Sequence, residues 1–185
     1  MVRSGKFTTM VLALKVSFGC SFLDLVVRPR TRIAKSNFLK KMLLGEYTHT
    51  LDPKKRLSLP SKFRKEMGKK VILARGFDKC LYLYTQKGWE KNAQKLAELS
   101  KGSAESRAFE RMQFSGAVEA EVDSLGRILI PDFLKDFAGL QTKVVVTGVN
   151  DRAEIWDEEK WMEYKSRMVE QNDSLAEKLG EKGVF

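Results

Sequence analysis

A nine-residue pattern occurs twice in this chain, and it restricts the fold more than any other feature. The first copy reads Asp52-Pro-Lys-Lys-Arg56-Leu-Ser-Leu-Pro60; the second reads Asp123-Ser-Leu-Gly-Arg127-Ile-Leu-Ile-Pro131. The shared frame is Asp-x-x-x-Arg-[Leu/Ile]-x-[Leu/Ile]-Pro, and the two copies stand 71 residues apart. A repeat at this spacing means one structural unit used twice.

The flanks repeat as well. Tyr47 to Leu51 and Val118 to Val122 both alternate apolar and polar residues, the period of a half-buried strand. After each proline comes a short helix pattern with a start signal, Ser61 to Met67 and Asp132 to Ala138. Two further strands follow in each copy. Val71–Ala74 matches Val144–Thr147, and Cys80–Tyr84 matches Ala153–Trp156. Turn-like Gly76-Phe-Asp78 and Gly148-Val-Asn-Asp151 separate them. Each copy ends on a tryptophan that opens a helix, Trp89 or Trp161. The expected organisation is a unit over 46–89, a helical joiner over 90–116, a second unit over 117–161, and a C-terminal helix and tail over 162–185. That last helix is expected to fray after Asn172.

A unit of about 45 residues buries too little surface to be stable alone, so the repeat predicts that the units pair within the chain or between chains. The motif has a physical reading as a turn. Its Asp can bond the backbone two residues on, Pro53 sets the first corner, and Gly126 can adopt a positive φ. Leu57 and Leu59, or Ile128 and Ile130, then face one side of the strand that follows, and Pro60 and Pro131 end it. Asp52, Asp123, Gly126 and Arg127 are accordingly assigned to holding the turns.

Charge separates the two copies. The net charge of +10 divides into +8 over residues 1–41, +8 over 42–111 and −6 over 112–185. The first unit is basic and the second acidic. Lys54, Lys55, Arg56, Lys62, Arg64 and Lys65 crowd around the first motif, with Lys69 and Lys70 close behind. Basic residues on a hairpin tip suit phosphate contact, and an arginine on a β-ribbon can reach a guanine edge in the major groove. A merely solvated basic face is the competing reading. Phe63 is the one aromatic residue among these bases, which argues against a single-strand stacking platform.

Other chemistry is thinly represented. Cys20 and Cys80 make neither a disulfide framework nor a metal set, and Cys80 reads as a small core residue. The lone His49 lies in an alternating strand and reads as structural. There is no phosphate-binding glycine loop, no Gly-x-Ser-x-Gly and no metal-ligand spacing, so neither an enzyme nor a cofactor is expected. No run of 18 apolar residues is present, so no membrane span is expected.

Residues 1–41 lie outside the repeat. A signal peptide, a flexible basic arm, and an artefact of gene-start assignment upstream of Met42 are all compatible with them. The last is favoured because folded-looking sequence begins abruptly at Met42.

From Met42 onward the chain resembles the MraZ transcriptional regulators, whose two halves are AbrB-like units. The resemblance rests on Met42-Leu-Leu-Gly45-Glu-Tyr, the two Asp-x-x-x-Arg motifs, and Glu154-Ile-Trp156-x-x-x-x-Trp161. It implies an α+β fold in which two tandem swapped-hairpin units form an intrachain pseudo-dimer with helices outside. It further implies ring-shaped homo-oligomers in the cytoplasm, associated with the nucleoid. These would bind direct repeats in double-stranded DNA upstream of a division and cell-wall gene cluster that includes the protein's own gene. By motif position, Arg56 would lead the DNA contacts, with Lys54 and Lys55 beside it. Lys55 departs from the pattern, which commonly has Gly there. A protein-interaction scaffold with non-specific DNA affinity is the alternative function.

Overall fold

The computed structural model describes residues 42–183. The expectations for residues 1–41 fall outside them. The first unit comprises β1 (Leu43–Thr50), β2 (Arg56–Ser58), α1 (Ser61–Met67), β3 (Lys70–Arg75) and β4 (Leu81–Thr85), and continues into α2 (Gln86–Ala97). Helix α3 (Ala104–Ser115) leads to the second unit: β5 (Val118–Glu121), β6 (Arg127–Leu129), α4 (Asp132–Ala138), β7 (Lys143–Asn150), β8 (Arg152–Asp157) and α5 (Glu158–Glu181).

The units exchange strands. Six strands form one antiparallel sheet in the order β1-β7-β8-β4-β3-β5. Strand β1 of the first unit pairs with β7 of the second, and β5 of the second pairs with β3 of the first. The order reads the same when the units are interchanged, with the β4–β8 pair at the centre. Strands β2 and β6, one from each unit, form a separate two-stranded ribbon. This is the expected α+β pseudo-dimer of swapped hairpins.

Period-2 patterning explains the layers. One sheet face carries Val71, Leu73, Leu81, Leu83, Val144, Val146 and Ile155 into the main core. The inner face of the ribbon (Leu57, Leu59, Ile128 and Ile130) and the short helices (Phe63, Met67, Leu134 and Ala138) close that core. The opposite sheet face carries Ile72, Ala74, Cys80, Tyr82, Tyr84 and Trp156, against which Trp89, Trp161 and Tyr164 pack. The two tryptophans play matching parts. Each is the fourth residue of its helix, and they lie 5.7 Å from Tyr84 and 5.4 Å from Trp156 respectively.

Two local expectations need correction. Gly148 to Asn150 belong to β7, so the turn into β8 is tighter than the sequence suggested. The cause is the exchanged strand: Leu43, Leu44 and Gly45 pair with Asn150, Val149 and Gly148. A Cβ at Gly148 would stand 2.4 Å from the Leu43 carbonyl carbon, so the glycine serves close strand approach. The terminal helix also does not end near Asn172 but continues to Glu181. Beyond Asn172 it contains no Pro, its glycine comes only in the last turn, and Leu175 and Leu179 stack at i, i+4.

Candidate nucleic-acid interface

The two motifs build the same turn. In the first, the Lys55 amide donates to the Asp52 carbonyl at 2.8 Å, and the Asp52 amide donates to the Arg56 carbonyl at 3.0 Å. In the second, Gly126 donates to Asp123 at 2.9 Å and Asp123 to Arg127 at 2.9 Å. Each is a three-residue hairpin loop closed by a left-handed residue, Lys55 at φ 60 and Gly126 at φ 75. In the first copy a lysine therefore occupies the position that favours glycine.

The Asp side chains lock the arginines. Asp52 accepts from the Arg56 amide at 2.8 Å and from its Nε at 2.7 Å. Asp123 accepts from the Arg127 amide at 2.9 Å and from its Nε at 2.8 Å. The Arg56 amide and then its guanidinium hold the Asp52 carboxyl below the usual carboxylate range. For Asp123 the Arg127 side chain is the leading cause and its amide the second. Both carboxylates therefore stay ionised at neutral pH; Asp52 fixes Arg56 through Nε, and Asp123 fixes Arg127 through both Nε and Nη2, the latter at 2.8 Å. The Arg56 Nη groups make no hydrogen bond among the described residues, which leaves their donors available.

The ribbon brings the two arginines together. Arg56 pairs with Leu129, Leu57 with Ile128, and Ser58 with Arg127. Leu57 and Ile128 point into the core, so Arg56, Leu129, Ser58 and Arg127 share the outer face. Arg56 and Arg127 are diagonal neighbours there, roughly 7–8 Å apart across the ribbon. Residues 71 apart in sequence thus form one pair, which the separate turn assignment of Arg127 did not anticipate.

The other basic residues occupy distinct places. Lys54 is exposed at the corner of the turn, and Lys62 and Lys65 are exposed on α1. Lys55 reaches across to ion-pair with Asp132 at the start of α4. Arg64 is turned onto the ribbon: its Nε donates to the Leu59 carbonyl at 2.8 Å and its Nη2 to the Ser58 hydroxyl at 3.0 Å. It also lies over the second turn, because a Cβ at Gly126 would stand 2.3 Å from Arg64 Nε. Arg64 thus links a helix of the first unit to the hairpin of the second. Lys70 is tied to Glu119 at 2.6 Å, across the β3–β5 pair.

His49 and Cys80 have quiet surroundings. Burial, and then the charge of Arg64, hold the His49 imidazole below its usual range. Cys80 is buried just before β4, and burial pushes its thiol far up, so it is no nucleophile at neutral pH. Among the described residues no cluster of His, Cys, Asp and Glu fit for a metal ion occurs, and no helix is long and apolar enough to cross a membrane.

The chain matches the family described as "MraZ protein, putative antitoxin-like" twice, over residues 42–112 and 113–180. It belongs to the MraZ family. Each match holds one Asp-x-x-x-Arg turn. Among its relatives is a protein of Moorella thermoacetica, 46% identical over 138 residues, covering 75% of this chain and 96% of the relative. Another, from Caldicellulosiruptor saccharolyticus, is 46% identical over 143 residues, covering 77% of this chain and all of the relative. A third, from Clostridium acetobutylicum, is 43% identical over 143 residues, with the same coverage. All three are named transcriptional regulator MraZ, and none carries the name of an enzyme.

Leu129 escaped the sequence reading, although a signal for it was present. The alternation that sends Ile128 and Ile130 inward places Leu129 on the outer face, where it is 55% exposed.

Proposed function

We propose that this MraZ-family chain is a DNA-binding transcriptional regulator whose reading surface is the outer face of the β2–β6 ribbon. The observation that carries this reading is the pair Arg56 and Arg127, brought to one face, with Arg56 held by Asp52 through Nε and Arg127 held by Asp123 through Nε and Nη2. A two-stranded ribbon fits the major groove, and a pre-oriented arginine fork matches the O6 and N7 acceptors of guanine. Lys54 at the first turn and Lys62 and Lys65 on α1, all exposed, supply phosphate contacts, which position the ribbon without reading sequence. Lys55 and Arg64 are given different parts. Lys55 shapes its turn and contributes charge, and Arg64 braces the ribbon through the Leu59 carbonyl and the Ser58 hydroxyl.

The proposed targets are direct repeats upstream of the protein's own gene cluster, engaged by several copies assembled as a ring. Helix α5 supports assembly, since it exposes Met162, Val169, Leu175 and Leu179 along its length. A ring lets individually weak heads engage successive repeats, so avidity adds to single-site affinity. The proposed location is the cytoplasm, at the nucleoid.

The test is fluorescence anisotropy with the chain's own upstream DNA and a scrambled duplex of equal length, alongside native mass spectrometry. The expected result is a large preference for the upstream DNA by an oligomer. Equal affinity for the two duplexes would favour the scaffold alternative and overturn this reading.

A further inference from the structure

The outer face of the ribbon consists of two cross-strand pairs, Arg56 with Leu129 and Ser58 with Arg127. On β2 and β6, alternation buries Leu57 and Ile128 and leaves Leu129 as the one apolar side chain turned outward. Elsewhere on the surface an exposed leucine needs no explanation. Here it stands directly across the strands from the arginine best placed to read a base.

The chemistry of the major groove offers one apolar group to such a side chain, the 5-methyl of thymine. Directly opposed cross-strand Cβ atoms lie about 4.5–5.5 Å apart, and successive bases on a strand rise by about 3.4 Å. A side chain paired with Arg56 is therefore spaced to meet a base one or two steps from the one Arg56 meets. The matching position beside Arg127 cannot do the same. It is Ser58, a polar residue whose hydroxyl already accepts from Arg64 Nη2 at 3.0 Å.

We propose that Leu129 is a specificity-determining residue that contacts a thymine 5-methyl group next to the base pair read by Arg56. The ribbon would then read apolar and polar features on the Arg56 side and polar features alone on the Arg127 side. This proposal rests on the reading of the ribbon as a DNA-binding face. It commits that face to duplex DNA rather than to a second copy of the chain, because Leu129 shares it with Arg56 and Arg127.

The experiment compares the chain's own upstream DNA made with dTTP against the same sequence made with dUTP, which removes the methyl groups and keeps the base pairing. Binding of the full chain is read by anisotropy, and a scrambled thymine-containing duplex is run beside them. Wild type is expected to bind the uracil duplex about three- to fivefold more weakly for each methyl contacted. Leu129→Ala should bind the thymine duplex more weakly than wild type does and bind the two duplexes within about twofold of each other. Leu129→Met, which keeps an apolar side chain of similar volume, should retain the preference. Indifference of wild type to the methyl groups would overturn the proposal, as would full discrimination by Leu129→Ala. A changed oligomeric mass with unchanged DNA binding in Leu129→Ala would also overturn it, by making Leu129 a contact between copies. If wild type prefers upstream over scrambled DNA but ignores the methyl groups, only the role of Leu129 falls. If that preference is absent, the DNA reading falls with it.

Discussion

The hairpin at Asp52–Arg56 and the hairpin at Asp123–Arg127 are the same backbone object under different electrostatics. Both close with the same two main-chain bonds, both lock the arginine to the aspartate, and both place a left-handed residue before the arginine. They differ in what covers them. The first has Lys54 at its corner and Lys62 and Lys65 on the helix that follows; at the matching places the second has Leu125 at its corner and Phe133 and Asp136 on its helix. What folding requires has been kept twice: the turn, the buried Leu57 and Ile128, and the paired ribbon. The solvent-facing charge carries no such requirement and has diverged. The difference also reaches the left-handed position. Lys55 adopts φ 60 and ion-pairs with Asp132, whereas Gly126 lies beneath Arg64 with no room for a side chain.

The largest expected effect breaks the comparison at the arginines. Arg56→Ala should weaken binding to the chain's own upstream DNA by about tenfold to a hundredfold, from the roughly 1–3 kcal/mol of a bidentate base contact. If the shared face counts for more than the surrounding charge, Arg127→Ala should cost about as much, with oligomeric mass unchanged in both. Anisotropy with native mass spectrometry measures this. A weakening confined to Arg56→Ala would mean that the acidic unit retains its turn for the fold alone.

Next comes the charge of the basic unit. The triple change Lys54→Ala, Lys62→Ala and Lys65→Ala should weaken upstream and scrambled DNA alike. It should also lower the slope of log affinity against log salt by about three, one for each phosphate left without its lysine. A change in the preference between the two duplexes would show that these lysines read sequence.

The left-handed positions sharpen the comparison at the level of the fold. Gly126→Ala must place a side chain at φ 75 and displace Arg64, so a stability decrease of about 2 kcal/mol or more is expected in urea unfolding. The matched change in the other hairpin, Lys55→Gly, relieves the same backbone cost and gives up an exposed ion pair with Asp132. It should change stability by less than about 1 kcal/mol, in the stabilising direction. Of these effects it is the smallest.

Much of this was legible in the chain, for reasons that differ from residue to residue. The Asp-Pro corner, the alternation through Leu57 and Leu59, and the helix starts after Pro60 and Pro131 are local, so the sequence displays them directly. The exchange of β1 and β5 is not local. A half-buried strand has the same period whichever partner it takes, and the expectation of a swap came from family resemblance. The tightness of the turn after Gly148 depends on β1 lying against β7 and is invisible without that pairing. Arg64 read as one more base in a basic cluster because its acceptors, the Leu59 carbonyl and the Ser58 hydroxyl, become available only once α1 folds back over the ribbon. The two arginines became a pair only through the β2–β6 register, which no spacing rule connects across 71 residues.

If arginines held on one ribbon face read guanine edges in duplex DNA, methyl groups placed on guanine N7 must obstruct them. Guanine-N7 methylation interference on the chain's own upstream region measures this, with wild type and Arg56→Ala compared on the same end-labelled fragment. Discrete guanines whose methylation blocks wild type are expected, with that interference abolished at one or more of them in the Arg56→Ala variant. A diffuse pattern for wild type, or an identical set of blocking guanines in both proteins, would contradict base reading by these arginines.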